Sequence, residues 1–174
     1  YGRIHLMDLR RRKLEPVELP RGIVTGLRFP ARKPGALFFA QMTAATPADV
    51  FALDLRSRKV TRWTRSELGA VDGGRFVEPE LVRYPSTDGT SVPAFLYRPR
   101  GATGRVPVVV SWHGGPEGQA RPNFAPQTQM LVAELGVAVL APNVRGSAGY
   151  GKAYVASDNG VLRVTTSAAP AFAV

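Results

Sequence analysis

The chain has 174 residues, 44% of them hydrophobic, with no cysteine and only two histidines. This composition excludes disulfides, cysteine metal sites, a thiol nucleophile and a metal site built from several histidines. The formal net charge is +10, from 23 basic and 13 acidic residues, and no run approaches the ~20 apolar residues of a membrane-spanning helix, so no membrane partner is expected.

The positive charge does not predict a nucleic-acid partner. Basic residues are scattered through strand-like segments, and the one run, Arg10–Lys13, falls where a turn is expected. An aromatic-rich motif of the kind that binds single strands does not accompany the run. We interpret it as a solvated hairpin tip, with a phosphate-binding patch as the alternative.

The first ~75 residues predict six short strands without an intervening helix, because apolar runs alternate there with Gly, Pro or charged turns. The strands are predicted at 4–9, 14–19, 23–29, 36–42, 50–55 and 60–64. Segment 4–14 aligns without gaps on segment 50–60 at a blade-like spacing, which indicates the outer half of one β-propeller blade and the whole of a second. Two similar Arg-rich hairpins arising by chance are the alternative.

From Glu78 the pattern becomes mixed. Segments 81–85 and 91–98 flank an Asp88-Gly89 turn and predict a hairpin. The apolar run 106–112 predicts a strand that is buried on both faces. A helix at 127–135 that ends at Gly136, and a strand at 137–141, complete a βαβ unit with a right-handed parallel crossover.

The end of the chain carries two weaker signals. Segment 151–157 predicts the start of another helix, whereas 161–174, VLRVTTSAAPAFAV, has neither a helical face nor strand alternation. We expect the latter segment to be a disordered or poorly packed tail.

The motif His113-Gly114-Gly115-Pro116 follows the predicted strand 106–112. In acyl transfer the substrate carbonyl oxygen becomes an oxyanion, which backbone N–H groups about 3 Å away stabilise. Consecutive glycines permit the tight turn that presents such groups. Gly114, Gly115 and the adjacent His113 therefore predict part of an oxyanion hole, and an ordinary strand-to-loop turn capped by His113 is the alternative.

A second glycine-rich cluster, 143–151, follows the strand at 137–141 and suits a loop pressed against a site. Arg145 is a candidate holder of a carboxylate. Ser147 does not fit a nucleophile in G-x-S-x-G, because Arg145 stands where the first glycine is needed. No serine elsewhere in the sequence satisfies that pattern, and no partner serine or acid is evident for His113.

These motifs resemble the prolyl oligopeptidase family, on its acylaminoacyl-peptidase and dipeptidyl-aminopeptidase side. Residues 78–160 resemble the start of the family's catalytic domain, in the stretches EPELVRYPSTDGTSVPAFLYRP, PVVVSWHGGPEGQARPNF and AVLAPNVRGSAGYGKAYVASDNG. Residues 1–77 resemble the end of its β-propeller, including RWTRSELG. The implied fold is β followed by α/β, namely a propeller end and then the N-terminal part of an α/β-hydrolase domain.

The resemblance implies a serine peptidase that hydrolyses oligopeptides through an acyl-enzyme. It implies that Gly115 supplies an oxyanion donor with His113 beside it, and that a loop containing Asn143, Arg145 and Tyr150 supports the site. No cofactor or metal is implied. The expected partner of the parent protein is a peptide substrate, a homo-oligomer of the parent is left open, and the expected location is the cytoplasm.

The chain departs from the family after residue 160, where the family continues into a helix and the strand that carries the nucleophile. We therefore expect a truncated or frameshifted product that is marginally stable, prone to aggregate and inactive alone, since the Ser/Asp/His triad is missing. The alternative, from a different functional class, is a non-catalytic interaction module with a basic β surface.

Overall fold

The computed structural model describes residues 1–115 and 117–159, which form two units. Among the described residues, the first unit contains 1–74 and 122–125, and the second contains 75–121 and 126–159. The predicted tail at 161–174 lies outside the described residues. In the part of the chain that the structure describes, no helix has the length and apolar character needed to cross a membrane.

Six antiparallel strands form two sheets in the first unit. They are β1 (Ile4–Asp8), β2 (Lys13–Val17), β3 (Ile23–Arg28), β4 (Ala36–Met42), β5 (Asp49–Asp54) and β6 (Val60–Arg62). Strands β1 and β2 pair alone, whereas β3 to β6 form a four-stranded meander in chain order. The predicted bounds agree to within two residues. The core of Ile4, Leu37, Phe39 and Leu53 takes alternate residues from β4, as the strand period of two requires.

The sequence repeat is also a repeat of turn structure. The Oδ1 atoms of Asp8 and Asp54 each accept hydrogen bonds from the backbone amides two and three residues later, at distances from 2.7 to 3.1 Å. Each turn then places an arginine at positive φ, 51° for Arg12 and 61° for Arg58, and no other non-glycine residue in the described ranges does so. The shared sequence thus builds the same turn twice.

The second unit contains a four-stranded mixed sheet. Its strands are β7 (Glu80–Pro85), β8 (Ser91–Tyr97), β9 (Val108–Val110) and β10 (Ala138–Pro142), in the order β7-β8-β10-β9. Strand β10 is antiparallel to β8 and parallel to β9. The predicted β7–β8 hairpin is confirmed, with Gly89 at a φ of 80° in its turn.

A helical segment connects the parallel strands β9 and β10, as predicted. It begins as α1 (Pro126–Gln129) and continues as a π-helical turn at Met130–Glu134, so the predicted uniform α-helix is wrong over its second half. Gly136 follows at a φ of 65°, in the left-handed conformation expected after a helix. A second short helix, α2 (Lys152–Ala156), lies where the sequence predicted one.

The predicted burial of the strand at 106–112 is wrong. Only Val108–Val110 forms a strand, and within the described residues it pairs with β10 alone, at the edge of the sheet. Val109 is 42% exposed and Trp112 is 47% exposed. An apolar β-branched sequence is the same whether or not other residues cover the strand. The sequence alone therefore could not distinguish a buried strand from an exposed edge strand. In contrast, β10 is buried over residues 138–140.

Asp49 joins β5 to the chain around β6. It is 2% exposed, and its carboxylate accepts hydrogen bonds from the Thr64 hydroxyl at 2.7 Å and the Ser66 amide at 2.9 Å. It also pairs with the guanidinium of Arg62. Burial raises the pKa of Asp49, but these hydrogen bonds and the Arg62 charge outweigh burial, so the pKa lies below its ordinary value.

Replacing Asp49 by Asn should lower the free energy of unfolding near pH 7 by about 2 kcal/mol, because the buried side chain loses its charge-assisted hydrogen bonds and Arg62, which is 37% exposed, loses its counter-ion. Since the folded-state pKa is lowered, the carboxylate stabilises the fold above its ordinary pKa of about 4, and this contribution disappears as the pH falls. Urea unfolding near pH 7 and pH 3 should show the difference shrinking in acid. Glu67→Gln, at an exposed position of the same unit, is the control. An undiminished difference at pH 3 would contradict the assignment.

Replacing Arg12 by Gly should raise the free energy of unfolding by up to ~1 kcal/mol, because glycine adopts positive φ without a Cβ clash. Arg12→Ala is the matched control, since alanine keeps the clash and removes only the long side chain. Thermal unfolding of both variants measures the effect. Equal stabilities of the Gly and Ala variants would argue against strain at this turn.

Candidate active site

The first site loop, residues 111–121 without Pro116, follows β9. The Ser111 amide donates to the Leu140 carbonyl at 2.8 Å and so extends the pairing with β10 into the loop. Gly114 and Gly115 are exposed and lie outside helices and strands, and Gly115 has a φ of 73°. Among the described residues, neither of their amides donates a hydrogen bond. Both N–H groups are therefore available to an acceptor.

The second site loop, residues 143–151, follows β10. Because β9 and β10 are parallel neighbours, their carboxyl ends bring the two loops to the same edge of the sheet. Asn143 is fully buried, and its carboxamide accepts from the Ala120 amide at 2.7 Å and donates to the Ala120 carbonyl at 3.1 Å. It also donates to the Tyr150 hydroxyl at 3.0 Å. Asn143 thus ties the second loop to the first.

Two tyrosines complete the packing around Asn143. Burial raises the pKa of the Tyr150 hydroxyl. Burial, with a contribution from neighbouring tyrosines, raises the pKa of Tyr154 to about 12. The Tyr154 hydroxyl donates to the Asn143 carbonyl at 2.7 Å. Both hydroxyls therefore stay protonated at neutral pH and serve as hydrogen-bonding groups.

Arg145 points to a different place. It is 7% exposed, and one guanidinium nitrogen pairs with the carboxylate of Asp88 in the β7–β8 turn. Hydrogen bonds from the amide and hydroxyl of Thr90, with a smaller contribution from the Arg145 charge, hold the pKa of Asp88 below its ordinary range. Arg145 therefore anchors the second loop to the β7–β8 turn.

The structure gives His113 a serine partner that sequence reasoning missed. The His113 Nε2 atom lies 2.8 Å from the hydroxyl oxygen of Ser147, which is fully buried. The two residues are 34 positions apart, but each lies in the loop after one of two adjacent parallel strands. The two predicted parallel strands place both loops at one edge of the sheet, and this placement is the sequence signal for the contact. Testing Ser147 only as a nucleophile does not reveal it.

Gly118 is a second residue that sequence reasoning missed. A Cβ atom at this position would lie 2.3 Å from the Gly114 carbonyl oxygen and 3.0 Å from His113 Nδ1. The Gly118 carbonyl in turn accepts a hydrogen bond from the Ala148 amide at 3.0 Å. Gly118 therefore lets the first loop fold closely upon itself while it remains bonded to the second.

Similar proteins are found by sequence and by structure, but not among family models. No protein-family model matches the chain. Over 143 residues it is 27% identical to prolyl oligopeptidase A of Amanita bisporigera, covering 79% of this chain and 19% of that protein. A solved prolyl endopeptidase matches with a TM-score of 0.79 at 20% identity, over 94% of this chain and 24% of that one.

A further structural match is prolyl oligopeptidase B of Galerina marginata, bound to a 35mer hydrolysis and macrocyclization substrate. Its TM-score is 0.71 at 21% identity, over 83% of this chain and 21% of that one. Because both identities are below 25%, these two structures support a similarity of fold alone.

The chain is similar in sequence to proteins named prolyl oligopeptidase and similar in fold to solved structures of that family. It spans about a fifth of the length of the curated relative, 19%. The mostly-sheet fold matches structures of this family. All six predicted site residues lie in the two hydrogen-bonded loops: His113, Gly114 and Gly115 in the first, and Asn143, Arg145 and Tyr150 in the second. Arg145 belongs to the second loop but faces the β7–β8 turn.

Gly118→Ala should lower the free energy of unfolding by about 1–3 kcal/mol, because the new Cβ would force the Gly114 carbonyl aside. Gly114→Ala is the matched control. Gly114 lies outside the positive-φ region, and a Cβ there would meet nothing within 4 Å. Chemical unfolding of both variants measures the difference. Equal stabilities of the two variants would show that the loop around Gly118 adjusts to accommodate a Cβ atom.

Proposed function

We propose that this chain forms part of a serine peptidase of the prolyl oligopeptidase type. Residues 1–77 are assigned to the end of a β-propeller and residues 78–160 to the N-terminal part of an α/β-hydrolase domain. The division of the first six strands into two and four supports the first assignment. The parallel pair β9–β10 with its helical connection supports the second.

The observation that carries the proposal is the Gly114–Gly115 segment in the loop after β9, where both residues are exposed and neither amide donates to another described residue. When a nucleophile adds to a peptide carbonyl, the oxygen gains negative charge, and a preoriented N–H stabilises it more in the transition state than in the substrate. In the proposed function the Gly115 N–H is this donor, with Gly114 and His113 beside it. The loop of Asn143, Arg145 and Tyr150 supports them.

The substrate class follows from the relatives. A peptide bond, or an acyl group on an amine, would be attacked by a serine to form an acyl-enzyme, which water then hydrolyses. No serine of the 174 residues occupies a G-x-S-x-G pattern. The proposed chain therefore contributes part of the oxyanion hole to a site whose nucleophile it does not itself carry.

The chain by itself should release no chromophore from aminoacyl, dipeptidyl or acylaminoacyl substrates. A fluorophosphonate probe, which labels activated serines, should not label it. Mass spectrometry of the treated chain locates any adduct. Turnover that copurifies with the chain, together with an adduct on one of its serines, would contradict the proposed division of roles.

A hybrid enzyme tests the oxyanion role directly. Residues 78–159 would replace the matching segment of the solved prolyl endopeptidase, and proline-containing chromogenic peptides would report activity. In this hybrid Gly115→Ala should lower kcat by roughly 100-fold, because the strained residue misdirects a donor of the oxyanion hole. Gly101→Ala is the matched control, because it introduces a similar backbone strain outside the site. Gly101 has a φ of 69° and Gly115 a φ of 73°, and a Cβ at either position would meet nothing within 4 Å. Equal activities of the two variants would contradict the role of Gly115.

One feature of the first unit favours the interaction module as a second candidate. A cavity of about 440 Å³ in this unit is lined by both repeated hairpins, with the cations Arg11, Lys13 and Arg58 beside apolar side chains. Their charge is partly offset, since Lys13 and Arg58 both pair with Glu15. Saturable capture of a partner that weakens when Arg10–Lys13 is neutralised would favour this function. Unchanged capture would argue against it.

A further inference from the structure

The imidazole of His113 connects a buried hydroxyl to the backbone of the glycine pair. Its Nε2 atom lies 2.8 Å from the Ser147 oxygen, and its Nδ1 atom lies 3.3 Å from the Gly114 carbonyl oxygen. Ser147 is fully buried, and its own amide donates to the Val144 carbonyl at 3.0 Å. The Ser147 backbone is thus held in place, with its hydroxyl oxygen within hydrogen-bond distance of the ring.

The two contacts determine which ring nitrogen carries the proton. A carbonyl oxygen can only accept, so Nδ1 must be the donor toward Gly114. In the neutral ring Nε2 then has a lone pair and accepts the hydrogen bond of the Ser147 hydroxyl. The Gly114 carbonyl thus sets the tautomer, and the Ser147 hydroxyl, which could donate or accept, supports this tautomer by donating to Nε2.

Holding this carbonyl also sets the direction of the Gly115 amide. The Gly114 C=O and the Gly115 N–H belong to one planar trans peptide unit, so they point to opposite sides. Glycine on both sides of a peptide leaves rotation of that unit nearly unhindered. Without the His113 contact, the N–H could turn away from the side on which an oxyanion would bind.

We propose that Ser147 and His113 are positioning residues that hold the Gly114–Gly115 peptide in one orientation and thereby aim the Gly115 N–H. This inference rests on the proposed oxyanion function of Gly115. Gly118 belongs to the same arrangement, because any side chain there would collide with the Gly114 carbonyl and crowd Nδ1. Ser147 thus acts through His113 and needs no access to substrate, which agrees with its burial.

The test is nuclear magnetic resonance of the full 174-residue chain at about pH 8, where a histidine ring is ordinarily neutral. His5 is the only other histidine, so a His5→Gln background leaves one ring to observe. Long-range proton–nitrogen correlations should show His113 protonated at Nδ1. In Ser147→Ala, the proton should move toward Nε2, and the Gly115 amide signal should shift.

Ser157→Ala is the matched control, since Ser157 donates to the Tyr154 carbonyl near the second loop. It should leave the His113 tautomer and the Gly115 amide unchanged. His113→Phe keeps a ring and removes both nitrogens, so it should move the Gly115 signal as Ser147→Ala does. This second variant decides the question should the buried Ser147 site not tolerate alanine.

A neutral His113 ring protonated at Nε2 in the parent chain would overturn the proposal. So would a Gly115 amide that neither Ser147→Ala nor His113→Phe shifts. The measurement involves no substrate, so its failure is distinct from failure of the proposed function. Equal activities of the Gly115→Ala and Gly101→Ala hybrids would contradict the oxyanion role and leave the tautomer assignment standing.

Discussion

The candidate site depends on the hydrogen bonds between a buried carboxamide and one residue of the neighbouring loop. The Asn143 side chain satisfies both the amide and the carbonyl of Ala120, at 2.7 and 3.1 Å. Because Asn143 is fully buried, leaving its carboxamide without these partners would cost about 1–3 kcal/mol, so the two bonds favour close packing of the loops. The contacts of His113 with Ser147, and of Gly118 with Ala148, are possible only because the loops are already close.

A second buried carboxamide holds another irregular segment of the second unit in the same way. The carboxamide of Gln129, also buried, accepts from the Val77 amide and donates to the Val77 carbonyl, both at 2.9 Å. A carboxamide offers an acceptor and donors side by side, which matches the two polar groups of one residue. Irregular backbone can then lie in the interior without a strand partner. The unit therefore relies on side-chain amides where its sheet ends.

Local patterns predicted the strands and the turns well, and they predicted the contacts between loops poorly. The Asp8 and Asp54 turns follow from a short-range sequence repeat, and the hairpin around Gly89 follows from a turn dipeptide. The exposure of β9 could not be predicted, because an apolar residue such as Val109 indicates burial whether or not other residues cover that face of the sheet. The pairing of Ser147 with His113 depends on the parallel register of β9 and β10, which no local pattern specifies.

The glycine pair poses a physical problem that the second loop solves. An oxyanion donor must be accessible, which favours residues without side chains, and it must also be oriented before the charge develops. In the proposed site Gly114 and Gly115 supply access and, for the same reason, leave their shared peptide free to rotate. Orientation then has to come from elsewhere, and in our proposal it comes from a histidine that contacts a buried serine 34 residues away. A glycine motif after a strand is therefore an incomplete sign of an oxyanion hole, because the same motif without its orienting partner would expose an N–H that points in no fixed direction.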